Sequence, residues 1–431
     1  MINNITEIIN KKANKKELTD QEIDFFVNNL HKNIKKYQVS AMLMAIKING
    51  LNDRELITYH NAILNSGKIL DLDENRFDKH STGGLGDKVS IILAPILEAM
   101  GIKFWKLSGR GLGFTGGTID KLESIKKFNT DYSLKAILKK DNANHNLIIG
   151  QSKNLIPADK YTYSIRDTSG SVDSTELIAA SVMSKKIAMG AKNILIDLKV
   201  GSGAFFKTLN QAEKLGKKLR LIGEKSNRNI YIIYTNMNEP LGKSIGNSIE
   251  VKEAISFLKN EYKDEKLEKI ISKIAIEFYI KKNNVSLKEA QEKYDHILKK
   301  HKGYDAFLNI LQNQKVKIKD FNEDKIFLPK HSYRIIANKS GYFKFKNLED
   351  LGYFLIEIKA GRKNDHDSIY SHAGVDFFVK NGDFINKGDL LAKIYSKERL
   401  TEEQIRRFEN TYFLTDKKVE IEEIILKEEK W

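Results

Sequence analysis

The sequence predicts an α/β protein with a small all-helical domain, a large and mostly parallel α/β domain, and a C-terminal α+β module. Three observations support this prediction. Apolar residues have helical spacing over the first seventy residues, short apolar runs alternate with helical segments from Phe77 onward, and strand patterns with glycine-containing turns follow about Asn338. The 431 residues, 41% of them hydrophobic, are enough for two or three domains.

The N-terminal segment, residues 1–70, has the start signals and spacing of helices. Thr19 offers an N-cap, and Glu22 stands three positions later, which is the pattern of a capping box. The apolar residues of 23–30 then follow at helical spacing. Further helical patterns cover 40–47 and 53–66. The first seventy residues are therefore predicted to form a helical domain.

The central and C-terminal parts contain strand patterns as well as helical ones. Apolar runs predict buried strands at 102–107, 147–149, 194–200 and 230–234. Helical patterns lie between them at 88–100, 175–189 and 211–226. This alternation favours a parallel sheet with helices on its faces. After about 338, strand patterns at 341–346, 374–379 and 390–394 predict a smaller β-rich module that extends to the C-terminus at 431.

Composition excludes several classes of protein. The chain has no cysteine, so disulfides, thiol nucleophiles and cysteine metal sites are excluded, and a cytoplasmic location is expected. No apolar run is long enough for a membrane helix, and the first residues lack a signal-peptide pattern. The net charge of +16 could indicate nucleic-acid binding, but lysines interspersed with acidic residues favour a solvated surface. We therefore expect neither a membrane nor a nucleic-acid partner.

Two glycine-rich segments, each before a predicted helix, could bind an oxyanion. Glycines allow close approach of the backbone, and a helix start offers unpaired N–H groups. In the first segment, 78–90, hydrogen-bond donors that match phosphate oxygens come from Lys79, Ser81 and Ser90. Taken alone, this segment could equally be a tight turn before a core helix.

The second segment, 108–123, follows a predicted strand and adds the hydroxyls of Ser108 and Thr118. Side by side, the two segments could direct N–H groups at one anion. Neither has the glycine-lysine pattern of a nucleotide-hydrolysing P-loop or the spacing of a dinucleotide fold.

A third cluster lies in 162–186. Arg166 has Asp167 beside it as a possible ion-pair partner, and Ser181 and Lys185 share one helix face because they are four residues apart. Arginine, serine and lysine together suit a planar ligand with carbonyl and imide groups. A solvated helix face with a surface ion pair explains the same residues equally well.

Together these segments resemble the thymidine and pyrimidine-nucleoside phosphorylase family. The residues from Ser108-Gly109-Arg110-Gly111 to Leu122-Glu123 are close to its signature, and further motifs match in order at 79–84, 166–186, 199–205 and 240–253. The resemblance spans most of the chain. It implies that a later helical insertion completes the first domain. The implied domains are a helical one at 1–70 with about 157–189, an α/β one at 71–156 and 190–337, and a C-terminal one at 338–431.

The resemblance also implies the reaction and the residues that perform it. The reaction is reversible phosphorolysis of pyrimidine nucleosides (thymidine, uridine, deoxyuridine) to free base and (deoxy)ribose 1-phosphate. The implied phosphate ligands are Lys79, Ser81, Ser90, Lys106, Ser108 and Thr118. The implied base ligands are His80, Arg166, Ser181 and Lys185, of which His80, Arg166 and Lys185 are the implied catalytic residues.

No organic cofactor is implied, but some family members hold a monovalent cation similar to K⁺. The matching ligands would be the backbone carbonyls of Gly86, Lys88, Leu241 and Ser244 and the side chain of Glu253. Because Lys88 would ligate through its carbonyl alone, its charged side chain is expected to point away from the ion.

The sequence departs from the family pattern in three places. Thr168-Ser169-Gly170 stands where Val-Thr-Ala is usual after Arg-Asp, which would make the edge of the base pocket more polar. Phe114 stands where histidine is common, which would place an apolar ring in the cleft. Asn236 replaces a common aspartate, which removes a charge near the cation turn.

The resemblance further implies a homodimer. The apolar residues of 23–30 are candidate contacts, although a place in the core explains them equally. The alternative functions are an anthranilate-type phosphoribosyltransferase, which shares the architecture, a basic nucleic-acid-binding protein, and a relative that has lost activity.

Overall fold

The computed structural model describes residues 4–30, 32–70, 76–111, 114–140, 145–150, 155–363 and 367–431, without the side chain of Asp167. The predicted fold class is confirmed, because a helical bundle, a sheet with parallel strands and helices on its faces, and a C-terminal α+β module are all present. Within these described ranges, none of the helices combines the length and apolar character that crossing a membrane requires.

The helical domain contains the first four helices and two later ones. The predicted capping box is present, since the Thr19 hydroxyl accepts from the Glu22 backbone N–H and the Glu22 side chain accepts from the Thr19 N–H. The apolar residues Ile23, Phe26 and Leu30 are buried, so core packing accounts for them without a dimer contact. The helices are α1 (Ile5–Ala13), α2 (Asp20–Asn28), α3 (Lys36–Asn49), α4 (Asp53–Asn65), α8 (Pro157–Ser169) and α9 (Thr175–Ala188).

The central sheet has parallel strands in the order β3-β2-β1-β4-β5. The pairs β2–β3, β1–β4 and β4–β5 are parallel ladders, and a parallel bridge between Phe77 and Phe104 joins the two groups. The carboxyl ends of these strands meet at one edge, where a parallel α/β sheet places its ligand site. The strands are β1 (Phe77–Ser81), β2 (Trp105–Ser108), β3 (Leu147–Gly150), β4 (Asn193–Val200) and β5 (Asn229–Asn236).

Two apolar clusters cover the faces of this sheet. One joins it to the helical domain through α4, α9 and α10, and the other packs it against α5 and α11–α14. The helices of the α/β domain are α5 (Val89–Ala99), α6 (Thr118–Leu122), α7 (Leu134–Lys140), α10 (Leu209–Lys225), α11 (Ser248–Leu258), α12 (Glu265–Asn283), α13 (Leu287–Lys299) and α14 (Lys302–Asn313).

The C-terminal module encloses a third apolar cluster. Its sheets have the orders β6-β9-β11-β7 and β10-β8-β12. Strand β6 thus pairs with the module although it lies in the sequence of the preceding domain. Its elements are β6 (Ser244–Gly246), β7 (His331–Ile336), β8 (Gly341–Phe345), α15 (Leu348–Glu357), β9 (Gly374–Phe377), β10 (Phe384–Ile385), β11 (Leu390–Ser396), α16 (Glu402–Glu409) and β12 (Tyr412–Thr415).

Two segments differ from the sequence prediction. The last strand, β13 (Ile425–Glu429), returns to the central sheet and pairs antiparallel with β5, whereas the sequence assigned it to the C-terminal module. Residues of the first glycine-rich segment, among them Lys79 and Ser81, belong to strand β1 and precede the loop itself.

Candidate active site

A cleft of about 950 Å³ opens where the sheet edge faces the helical domain. One side, here called the loop wall, consists of the ends of β1 and β2 with the loops 82–88, 109–111 and 114–117. The other side, here called the helix wall, consists of α8 and α9. The predicted site residues that line this cleft are His80, Ser81, Ser90, Lys106, Ser108, Thr118, Arg166, Ser181 and Lys185.

The first loop of the loop wall is held by its own polar groups. The Ser81 hydroxyl donates to Asp87 Oδ2 over 2.5 Å, and the Gly83 N–H donates to the Ser81 hydroxyl. The buried Lys121 ammonium donates to the Asp87 carbonyl over 2.8 Å and pairs with Glu250. Gly83 has φ +81°, a left-handed conformation that glycine adopts without strain.

The second loop is fastened by acidic residues of the signature. Arg110 pairs with Glu123 at 2.6 Å and with Asp120 at 3.1 Å, and Asp120 also accepts from the Gly111 N–H. These ion pairs give Arg110, Asp120 and Glu123 of the signature segment a structural role. At the start of the loop, the buried Ser108 hydroxyl has no hydrogen-bond partner among the described residues, so it can donate to a ligand.

Beneath the loop wall lies a lattice of buried ion pairs. Lys79 and Lys199 both contact Asp197, at 2.8 and 2.9 Å, and Lys186 contacts Asp78 at 2.8 Å. Lys79 is fully buried in this pair and is not among the residues that line the cleft, so here it supports the wall from behind. Its role as a phosphate ligand stays a prediction.

Two groups of the loop wall have strongly lowered pKa values. Burial, with the nearby Lys186 ammonium as the next cause, lowers the pKa of Lys106 well below its ordinary value. Burial and the surrounding lysines likewise lower the pKa of His80 well below 6.5. His80 is therefore neutral at neutral pH. A bound anion would stabilise the charged form of Lys106.

The helix wall holds its cations in existing contacts. As predicted, Ser181 and Lys185 share one helix face, and the Lys185 ammonium donates to the Ser181 hydroxyl over 2.7 Å. The same ammonium pairs with the buried Asp159 at 2.6 Å. The Tyr163 ring lies beneath both cations, 5.4 Å from Lys185 Nζ and 5.7 Å from Arg166 Cζ.

Arg166 organises the connection between α8 and α9. Its guanidinium donates to the backbone carbonyls of Ser171, Val172 and Leu177, over 3.2, 2.6 and 3.1 Å. Burial lowers its pKa from the usual arginine value. The predicted ion pair with Asp167 lies outside the described side chains, and these carbonyls hold the guanidinium.

Two of the predicted cation ligands, Leu241 and Glu253, contact a lysine side chain. The Lys88 ammonium donates to the Leu241 carbonyl over 2.6 Å and lies 3.1 Å from Glu253 Oε2. The expectation that this side chain points away is wrong, because the buried ammonium contacts Leu241 and Glu253, two members of the predicted ligand set. Gly86 lies against the same Leu241 carbonyl, and the Ser244 N–H donates to Glu253 over 2.9 Å.

Two of the departures from the family pattern, Phe114 and Asn236, are not among the residues that line the cleft. The expectation that Phe114 places an apolar ring in the cleft is wrong, since its ring packs on Tyr353 at 6.0 Å between centroids. This contact docks the loop on the C-terminal module. Asn236 donates to Glu422, so a carboxylate from the C-terminal segment stands beside it.

Sequence reasoning missed several residues of the site. Asp159 and Lys186 belong to it through ion pairs with Lys185 and Asp78, and the sequence alone does not indicate these pairs. Tyr163 stands one helical turn before Arg166, and that spacing could have indicated a shared face. Arg362 reaches the cleft from the C-terminal segment and pairs with Asp120 at 2.8 Å.

Comparisons with known proteins agree with this architecture. Models of the glycosyl transferase family match its helical bundle domain at 6–67 and its a/b domain at 73–304, and the pyrimidine nucleoside phosphorylase C-terminal domain matches at 342–415. The fold and the cleft thus define a glycosyl transferase with three parts.

Relatives of known name identify the branch. Thymidine phosphorylase of Mycoplasmoides pirum is 41% identical over 412 residues, covering 93% of this chain and 97% of that protein. Pyrimidine-nucleoside phosphorylase of Bacillus subtilis is 39% identical over 409 residues, with 94% of each chain covered. The chain belongs to the thymidine and pyrimidine-nucleoside phosphorylase family.

A solved structure shares the fold at greater distance. Anthranilate phosphoribosyltransferase from Thermus thermophilus superposes with a TM-score of 0.54 at 14% identity, covering 72% of this chain and 99% of that chain. At this identity the similarity concerns the fold alone.

Proposed function

We propose that this protein catalyses the reversible phosphorolysis of pyrimidine nucleosides to free base and (deoxy)ribose 1-phosphate. The single observation that carries the proposal is that one cleft unites two complementary walls. The loop wall offers Lys106 and the unpartnered Ser108 hydroxyl, and the helix wall offers the Arg166, Ser181 and Lys185 cluster. Relatives named thymidine and pyrimidine-nucleoside phosphorylase support the substrate class.

Phosphate is proposed to bind at the loop wall. Ser108 and Thr118 would donate hydroxyl protons to it, and Lys106 would supply the charge. Burial of a cation without a carboxylate partner is costly, and among the described residues Lys106 has no ion pair. A phosphate dianion placed beside this ammonium would remove that cost, so the depressed pKa of Lys106 favours anion binding.

The base is proposed to bind at the helix wall. A phosphate oxygen forms a bond to the sugar C1′ while the C1′–N1 bond breaks, and the electron pair of that bond goes to the base. Negative charge therefore grows on the ring and its carbonyl oxygens, where Lys185 and Arg166 would stabilise it. A donor placed at such a charge contributes about 10²–10³-fold to the rate.

His80 is proposed to act as a neutral hydrogen-bond donor. Its lowered pKa leaves little imidazolium at neutral pH, so donation of a hydrogen bond to a base carbonyl fits better than full proton transfer. The released base anion then takes a proton from solvent.

The assembly and location of the protein complete the proposal. We propose a homodimer, because Tyr37 and Ile48 of α3 leave apolar surface exposed on the helical domain. Light scattering after size exclusion would check this directly. A cytoplasmic location is in keeping with the absence of cysteine and with phosphate as a co-substrate.

A nucleoside panel tests the proposed reaction. The protein is incubated with thymidine, uridine or deoxyuridine and either phosphate or sulfate, and base release is followed by absorbance. We expect release with phosphate, none with sulfate, and no need for Mg²⁺. A parallel reaction contains anthranilate, 5-phosphoribosyl pyrophosphate and Mg²⁺. Product there, without release in the phosphate reactions, would contradict the proposal and favour the phosphoribosyltransferase.

A further inference from the structure

The cluster that matches the family's monovalent-cation site already contains a positive charge of the chain. The Lys88 side chain reaches into it, with Nζ 2.6 Å from the Leu241 carbonyl oxygen and 3.1 Å from Glu253 Oε2. Lys88 and Glu253 are 0% and 1% exposed, so the pair is buried. The ammonium therefore already occupies two of the contacts, to Leu241 and to Glu253, that an ion bound here would make.

The surrounding groups do not fit an additional ion. Both carboxylate oxygens of Glu253 also accept backbone N–H groups, from Lys243 and Ser244, each over 2.9 Å. A Cβ added at Gly242 would lie 2.7 Å from Lys88 Nζ and 2.5 Å from Glu253 Oε1, so the backbone closes tightly around the pair. A second cation would also stand beside the ammonium, and like charges repel strongly where water is excluded.

We propose that the Lys88 ammonium permanently takes the place of a monovalent cation in this protein, so that its stability and turnover do not depend on K⁺. An ammonium group and K⁺ are similar in size and carry the same charge. The lysine is covalently attached, so its occupancy does not vary with ion concentration as that of a free ion does.

The position explains why a charge is needed there. Lys88 directly precedes α5 and its Ser90, while Leu241 and Glu253 belong to the turn before β6 and to α11. The ammonium thus ties the first loop of the loop wall to a distant part of the α/β domain. Lys88 is accordingly a positioning residue, and its effect on turnover rests on the proposed function, whereas its effect on stability does not.

Thermal unfolding tests the inference without any nucleoside. Wild-type protein, Lys88→Thr and Lys12→Thr are melted in potassium chloride and in tetramethylammonium chloride at equal ionic strength. The control is matched, because Lys12 forms a similarly buried pair with Glu55, at 2.9 Å, in the helical domain.

We expect the wild type to melt at the same temperature in both salts. In tetramethylammonium chloride, Lys88→Thr should melt at least about 5 °C below the wild type. K⁺ should restore much of this loss in a saturable manner, because the carbonyls and Glu253 become available to the ion when the lysine is absent. Lys12→Thr should lose stability equally in both salts.

Two results would overturn the inference. One is a saturable stabilisation of the wild type by K⁺, which would show that the ion binds despite Lys88. This measurement needs no variant, so it decides the question even if Lys88→Thr does not fold. The other is a Lys88→Thr protein that melts identically in both salts, which would show that the lysine does not stand where an ion can bind.

Discussion

The two walls of the cleft differ in how far their polar groups are already bound to other groups of the protein. In the loop wall, the Ser108 hydroxyl is unpartnered and the Lys106 ammonium has only the weak 3.5 Å contact to the Leu107 carbonyl, within the described part of the chain. In the helix wall, Lys185 is already paired with Asp159 and Ser181. Ser108 and Lys106 of the loop wall can thus bind a ligand without giving up a strong contact, whereas Lys185 of the helix wall must exchange protein contacts for ligand contacts.

The secondary structure explains this difference. The loop wall stands on parallel strands, and buried ion pairs join β1 to β4 beneath it, so unpaired donors can be held apart there. The helix wall consists of two helices joined by a short connection that Arg166 holds through backbone carbonyls. Its cations can therefore remain paired until a substrate arrives. The walls belong to different domains, so closure of the cleft would bring the two ligands together and exclude water.

Breaking the ion-pair lattice should have the largest effect on the loop wall. Asp197→Asn removes the carboxylate that contacts the buried Lys79 and Lys199, at 2.8 and 2.9 Å. Loss of one partner from a buried ion pair costs about 3–5 kcal/mol of unfolding free energy, and because two ammoniums share this carboxylate we expect a cost at the upper end. Urea denaturation followed by circular dichroism measures it.

An exposed ion pair provides the control for this prediction. Asp53→Asn removes the partner of Lys218 at 3.0 Å, where both side chains contact solvent. Its cost should be about 0–1 kcal/mol. An equal loss of unfolding free energy in the two variants would mean that the buried ion pairs do not stabilise the loop wall.

The helix wall is tested by separating the two partners of its lysine. Lys185→Met should lower kcat/KM by about 10²–10³-fold, because a charge at the developing base anion is lost. It also strands the buried Asp159 carboxylate, so stability falls too. The double variant Lys185→Met with Asp159→Asn should recover stability but not turnover, as measured by base release and urea denaturation.

This pair of variants distinguishes a role in catalysis from a role in packing. Recovery of turnover in the double variant would show that Lys185 serves only to neutralise Asp159. The exposed Lys225→Met on α10 is the control and should behave as wild type in both assays.

The contrast between the walls also shows what the sequence could and could not reveal. The position of Ser108, Thr118 and Ser181 at the cleft could be predicted, because glycine spacing and helical spacing are local patterns. The direction of the Lys88 side chain could not be predicted, since it depends on Leu241, a residue 153 positions away in the sequence. Ion pairs between distant segments leave no periodic signal, and for that reason the lattice under the loop wall was missed.

The fold follows the same rule. Buried parallel strands such as β4 (Asn193–Val200) were predicted because their apolar residues form a short, nearly continuous run. Strand β13 was missed because it is a short edge strand with the sequence Ile-Leu-Lys-Glu-Glu, whose side chains are largely exposed. Its place is determined by pairing with β5, a contact that its own residues do not encode.

The pH dependence of phosphate binding is the finest test of the loop wall. Lys106 binds an anion in its protonated form, and its pKa in the free protein is well below the ordinary lysine value because of burial and the neighbouring Lys186. Bound phosphate favours the ammonium and raises this pKa. Affinity should therefore be highest below the free-protein pKa and fall by up to about tenfold per pH unit between the free and bound pKa values.

Calorimetric titration with phosphate across alkaline pH measures this fall. Lys106→Met should bind phosphate more weakly below the free-protein pKa, by about tenfold or more, since a hydrogen bond to a charged group contributes about 1.5–3 kcal/mol. Its alkaline slope should be flatter, because the titrating group is gone. An unchanged slope in Lys106→Met would therefore assign the alkaline loss to a group outside the loop wall and remove Lys106 from the proposed phosphate site.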